Sequence, residues 1–236
     1  RPLPLPAQPA ESLPHGAYAN TEEHLWDELR RIDQLVRAQT LRWRLTIGES
    51  KPERLWGMVH VTDAEIERFL DSAFLPPGEL PVEIESKMAV HWQAADEIAA
   101  SIQTRCKNTL SPIELRLRRI GQIFNLSPFE RDILLVCLLP ELDSRYRRLF
   151  GYLLDDASRT RPTVELVMQI LYPVARNVAT AREAFESAAP LPAHRLIVFG
   201  NEAYGDETLP MRSLRCDDRI ANYLLGGDAM DSRIKD

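Results

Sequence analysis

The run Ile133-Leu134-Leu135-Val136-Cys137-Leu138-Leu139 puts seven consecutive apolar side chains where, in a helix, they would point in every direction. A helix that is apolar all round has to be enclosed by other elements and cannot lie on a surface. The longest apolar run in the chain is this one, far short of the ~20 residues that a membrane-spanning helix needs. At ~1.5–3 kcal/mol for each buried side chain, the segment is worth on the order of 10 kcal/mol, which makes it the expected central helix of a core. Its start is marked by Ser127-Pro128-Phe129-Glu130. The serine can cap exposed amides, the proline presets φ at the first helical position, and the glutamate can reach back to the serine amide. Pro140 is expected to stop the helix.

Other helices are predicted around this one. A twin signal, Ser111-Pro112-Ile113-Glu114, predicts a preceding helix that ends near Asn125, a residue tolerant of the left-handed conformation. Asp143 is a cap for a helix carrying Tyr146, Leu149, Phe150, Leu153 and Leu154. Val164, Val167, Met168 and Leu171 form the face of another, and Val174, Val178, Ala181 and Phe185 form one more before Pro190 and Pro192. Nearer the start, Asn20 with Glu23 caps a helix of about five turns bearing Leu25, Leu29, Ile32, Val36 and Trp43. Pro52 and Gly57 break the chain, residues 58–61 read as a short strand, and Thr62 with Glu65 opens a helix with Ile66, Phe69 and Leu70. A single stripe through Met88, His91, Trp92, Ala95, Ile98, Ala99, Ile102 and Cys106 then predicts a long helix.

The pattern changes at Leu196-Ile197-Val198-Phe199, a β-branched and aromatic run, with residues 211–216 as the returning strand of a hairpin. Asp217 starts a short helix bearing Ile220, Leu224 and Leu225, stopped by Gly226 and Gly227. The expected fold class is mostly α: a helical N-terminal part followed by a winged-helix-like domain with a small β-hairpin. Residues 1–20 are expected to be a proline-rich linker, 21–107 a helical subdomain, and 108–236 the winged-helix-like domain.

Composition narrows the function. With 44% hydrophobic residues in 236, the chain can bury a core without staples. Its three cysteines, Cys106, Cys137 and Cys216, are odd in number and far apart, which argues against a disulfide framework and for a reducing cytoplasm. Residues 1–110 hold 12 Lys+Arg against 17 Asp+Glu and residues 111–236 hold 17 against 18, so neither half is a polycation and nucleic acid is a disfavoured partner. The local basic concentration is Arg145, Arg147, Arg148, Arg159 and Arg161, with Glu141, Asp143, Asp155 and Asp156 interleaved. These five arginines are the candidate partner-binding residues, on a face expected to be ion-paired by default.

A phosphate-binding loop needs GxxxxGK[ST], and no Gly-Lys dipeptide occurs; the lysines are Lys51, Lys87, Lys107 and Lys235. GxGxxG and GxSxG are absent as well. The histidines His15, His24, His60, His91 and His194 are scattered, and His91 reads as a half-buried core residue. Asp155-Asp156 and Asp217-Asp218 read as helix ends and caps in preference to metal carboxylates. Trp26, Trp43, Trp56 and Trp92 read as core anchors. No catalytic, cofactor-binding or metal-ligating residue is assigned, and this chain is not expected to be an enzyme.

The run Leu126-Ser127-Pro128-Phe129-Glu130-Arg131-Asp132-Ile133-Leu134-Leu135, with Pro140-Glu141-Leu142-Asp143, Tyr146, Asp155-Asp156 and Arg161-Pro162-Thr163-Val164, resembles the winged-helix-containing region that precedes the ATPase module in a bacterial AAA+ ATPase family. Asp217-Asp218-Arg219-Ile220, Leu224-Leu225-Gly226, Leu41-Arg42-Trp43 and Val61-Thr62-Asp63 fit the same pattern, so the resemblance spans most of residues 25–236. In that family the ATP-binding sequences follow this region. The resemblance therefore implies a non-catalytic recognition and regulatory part that docks a protein substrate or assembly partner. ATP and Mg are expected for the ATPase module and not for this chain, and any oligomer is expected to form through that module. A winged-helix DNA-binding regulator is the alternative, disfavoured by the acidic stretch Glu202, Asp206 and Glu207 at the expected wing.

Overall fold

The computed structural model describes residues 16–47, 66, 67, 70, 79–109, 113–172, 175–200 and 208–227. It is mostly helical, with one two-stranded antiparallel sheet near the C-terminal end of the described residues. α1 (Thr21–Ile47) begins where Asn20 Oδ1 accepts the Glu23 N–H at 2.8 Å, while the Glu23 carboxylate reaches back to the Ala19 N–H at 2.9 Å. At 27 residues it runs about seven and a half turns, longer than the periodicity of its apolar stripe predicts. Its C-terminal half is met by a later helix: Gln39 is buried and its amide donates to Gln169 at 2.9 Å.

α2 (Val82–Asn108) lies antiparallel to α1, since Asp27 meets Arg105 near one end and Gln34 meets His91 further along. Met88, Ala95, Ile98 and Ile102 on its stripe are buried, and His91 is half-buried with its Nδ1 3.1 Å from Gln34 Oε1. Ile66, Glu67 and Leu70 are helical. The strand expected over 58–61, the Thr62 capping box and Trp56 lie outside the described residues, as do residues 1–15 of the expected linker. Within the rest of that stretch, Tyr18 is buried against the ends of α1 and α2.

α3 (Arg116–Ile123) starts later than its serine-proline signal predicts. Ser111 and Pro112 lie outside the described residues, but 113–115 are not helical. The physical reason is a tertiary cap: the Arg116 N–H donates to Thr21 Oγ1 of α1 at 2.9 Å, and Glu114 turns outward to pair with Arg119 at 2.8 Å. The helix ends as expected, with Asn125 at φ 49°.

α4 (Pro128–Leu142) carries the complete Ser127 and Glu130 capping box and is the centre of the core. Every side chain from 133 to 139 has 0% exposure, with α1, α5 (Ser144–Leu153) and the sheet packed around it. The helix does not stop at Pro140 but runs two residues further, to Leu142. Proline removes its own N–H and excludes the preceding carbonyl partner; its own carbonyl is occupied, accepting from Arg147 Nε at 2.8 Å. Leu25, Leu29, Ile32 and Val36 of α1 join the same apolar cluster as α4.

α6 (Val164–Ile170) and α7 (Val178–Glu183) are capped by Thr163 and Asn177, and α8 (Pro190–Ala193) is a single turn that uses Pro190 as its start. β1 (Ile197–Phe199) pairs with β2 (Leu214–Cys216) in the register Ile197 to Cys216 and Phe199 to Leu214. Thr163 bridges Ser213, so the hairpin is fastened to the start of α6. A Cβ at Gly200 would meet Ser213 Oγ, and that hydroxyl would have to turn away to admit one. α9 (Asp218–Leu224) closes the fold under the Asp217 cap, with Gly226 at φ +91°.

Candidate functional site

Three of the five candidate arginines sit on α5. That helix starts at Asp143, whose carboxylate accepts the Arg145 backbone N–H at 2.8 Å and its Nε at 2.7 Å. Burial alone would raise the Asp143 pKa, but the Arg145 bonds outweigh it and hold the carboxyl below its usual range. Arg147 is spent on the Pro140 carbonyl, and Arg148 is exposed on the same helix. Beyond α5 the chain folds back on Gly151, where a Cβ would lie 3.0 Å from the Asp156 carbonyl. There Arg159 lies 3.4 Å from Asp156 and donates to the Met211 carbonyl at 3.1 Å, and Arg161 is exposed. The group is thus a surface of arginines several of which are already held by neighbouring oxygens.

A second charged region lies inside the fold, along the faces of α1 that meet α2, α4 and α5. Arg31 makes a two-pronged contact with Asp132 of α4 and also bonds Glu28 at 2.9 Å. Burial opposes charge on Arg31, yet these carboxylates raise its pKa. Asp33, almost fully buried, accepts from Tyr146 Oη at 2.7 Å and from Arg37 Nε at 2.7 Å, which ties α5 to α1. Arg105, 3% exposed, is held by Asp27 and Glu23 with its guanidinium over the Tyr18 ring.

Between α1, α2, α3 and α4 lies a cavity of about 400 Å³ with His24, Lys107, Arg118, Arg131, Arg31 and Asp132 in its wall. Arg131 and Asp132 fall inside the run that carries the family resemblance, but no motif assigns any of the six a role. The signal that existed was positional: Arg105 continues the Ile98 and Ile102 stripe of α2, and His24, Asp27 and Arg31 follow helical spacing beside the apolar face of α1. Charge in register with a buried stripe marks an internal polar contact, but not its partner.

Among the described residues no group of three or more His, Cys, Asp or Glu side chains is placed to hold a metal ion, and no helix is long and apolar enough to cross a membrane. Cys137 and Cys216 are buried free thiols, both pushed up in pKa by burial. Trp26 and Trp43 pack on the core, and Trp92 stacks on Tyr172 with ring centroids 5.5 Å apart. A family model described as "Winged helix domain, variant" matches residues 7–236. No curated protein and no solved structure matches the chain.

Proposed function

The chain belongs to the winged helix domain, variant, family, and we propose that it is the non-catalytic recognition and regulatory region of a AAA+ ATPase, docking a protein substrate or assembly partner in the cytoplasm for an ATPase module of the same polypeptide. The link to an ATPase rests on the resemblance of the motif around Ser127 to Leu135 and its continuation to Val164.

The observation that carries a protein partner over DNA is the charge on α7, the last helix longer than a single turn before the hairpin. A helix-turn-helix reader lays a helix in the major groove and needs cations on it. Around α7 the exposed charges are Arg176, Arg182, Glu183 and Glu186, which cancel, and Arg176 is already paired with Glu85 of α2. Arg148, one helical turn from the 43% exposed Tyr152 on α5, suits a protein surface better than a phosphate backbone.

Two measurements test the reading. The reading frame that encodes this chain should continue into a GxxxxGK[ST] motif; a frame without one removes the ATPase assignment. A labelled random duplex titrated at two salt concentrations should show almost no binding near physiological salt. Sub-micromolar binding, falling with a slope of ~0.9 per neutralised phosphate, would establish the DNA-binding alternative instead.

A further inference from the structure

The cavity between α1, α2, α3 and α4 is not used by the docking surface and is chemically unlike a packing defect. A void left by imperfect packing is apolar and stays empty. This one has a mixed wall, with Ile102, Leu117 and Leu135 on one part and charged side chains on the other. Four cations and two carboxylates face it: Arg31, Lys107, Arg118 and Arg131 against Glu28 and Asp132. Arg31 binds both carboxylates, so the excess positive charge resides on Lys107, Arg118 and Arg131, one from each of α2, α3 and α4.

Two buried polar groups in that wall have no partner. His24 is 1% exposed, and neither of its ring nitrogens makes a hydrogen bond; its nearest carboxylate oxygen, on Glu28, is 3.8 Å away. Its ring is held edge-on by Tyr18, with centroids 5.0 Å apart. Arg131 Nε is likewise buried and unbonded, and the Arg131 stem lies against Gly121 of α3, where an added Cβ would be 3.0 Å from Cδ. Leaving such groups unpaired is costly, and a ligand able to accept from them removes that cost. Burial, chiefly, and then the Arg118 and Arg131 charges depress the His24 pKa to about 4 against an opposing pull from Asp27, so the ring is neutral near pH 7 and can donate through one N–H.

We propose that this cavity binds a small organic phosphate monoester, its dianionic head among Lys107, Arg118 and Arg131 with a phosphate oxygen accepting from the His24 ring, and its body against Ile102, Leu117 and Leu135. A phosphate monoester carries about −1.5 to −2 charge near neutral pH, which matches the excess of two cations in the wall. The volume lies within the range of small-molecule sites and exceeds what a lone phosphate fills. Lys107 and Arg118 are exposed, so the space is reached from solvent along them.

Calorimetric titration of the full chain with phenyl phosphate, inorganic phosphate and phenylacetate tests the site. Phenyl phosphate should bind at one saturable site, with inorganic phosphate and phenylacetate each weaker by about tenfold or more. The His24 ring nitrogen resonances should move on saturation. Arg131→Met should weaken phenyl phosphate about tenfold at an unchanged melting temperature, whereas Arg148→Gln on α5 should leave it as it is. If Arg131→Met loses its cooperative melt, Lys107→Met at its exposed position carries the same comparison. Absence of saturable binding, equal affinity for phenylacetate or inorganic phosphate, an unmoved His24 signal, or full affinity in the folded cavity variant overturns the assignment.

Discussion

Arg105 and Asp27 meet at 2.6 Å with 3% and 1% of their side chains exposed, joining the C-terminal end of α2 to the N-terminal half of α1. The contact does not stand alone. Tyr18 Oη donates to the same Asp27 oxygen at 3.2 Å, Arg30 takes the other at 2.8 Å, and the Arg105 guanidinium lies 4.0 Å from the Tyr18 ring centroid. Arg105 also donates to the Gly16 carbonyl at 3.3 Å, so the pair draws the residues before α1 into the fold.

Removing one partner of such a pair leaves an uncompensated buried charge. Arg105→Met is expected to destabilise the chain by about 3–5 kcal/mol, and the double variant Arg105→Met with Asp27→Leu should recover most of that loss, because both charges are then gone. Urea unfolding of the two singles and the double measures this. A single variant as stable as wild type would mean that the contact is not formed in solution.

Leu135 has 0% exposure at the centre of α4. Leu135→Asp puts a carboxylate into the packed core at the floor of the cavity, at a cost of several kcal/mol that is comparable with the whole stability of a domain. The expected result is loss of the cooperative thermal transition. A melt at the wild-type temperature would show that α4 is not central.

Stability should depend on pH through His24. The folded pKa is about 4 and the unfolded value is 6.5, so between the two the unfolded chain binds the proton more tightly. Stability is fully present above about pH 6.5 and falls as the pH drops toward 4, by roughly 3 kcal/mol in all. His91, also depressed, chiefly by burial, adds in the same direction. Glu23 and Asp143 are held below their usual range, so their contributions are lost at lower pH than this window. Urea midpoints between pH 4.5 and 7 should fall steeply in the wild type and much less in His24→Gln; equal slopes would exclude His24 as the source.

How far the chain could be read in advance follows from the range of each interaction. Ser127 and Glu130 are three residues apart, and their reciprocal bonds form whatever the rest of the chain does. The same holds for Asp143 over Arg145 and Asp217 over Arg219. The twin box at Ser111 has the same local chemistry, but an oxygen 95 residues away, Thr21 Oγ1, takes the Arg116 amide and places the helix start there. Pro140 likewise reads as a stop, and the helix passes through it to the Asp143 cap.

By itself, then, the sequence determined which segments are helical, which faces are apolar, and that residues 133–139 must be enclosed, because capping and periodicity act within a few residues. Only the tertiary structure decided which buried charges meet. Arg31 finds Asp132 across 101 residues and Tyr146 finds Asp33 across 113, and four separate helices bring His24, Lys107, Arg118 and Arg131 around one cavity. Coulomb attraction and hydrogen bonding depend on distance in space, and the packing of α1 against α2, α3 and α4 sets those distances.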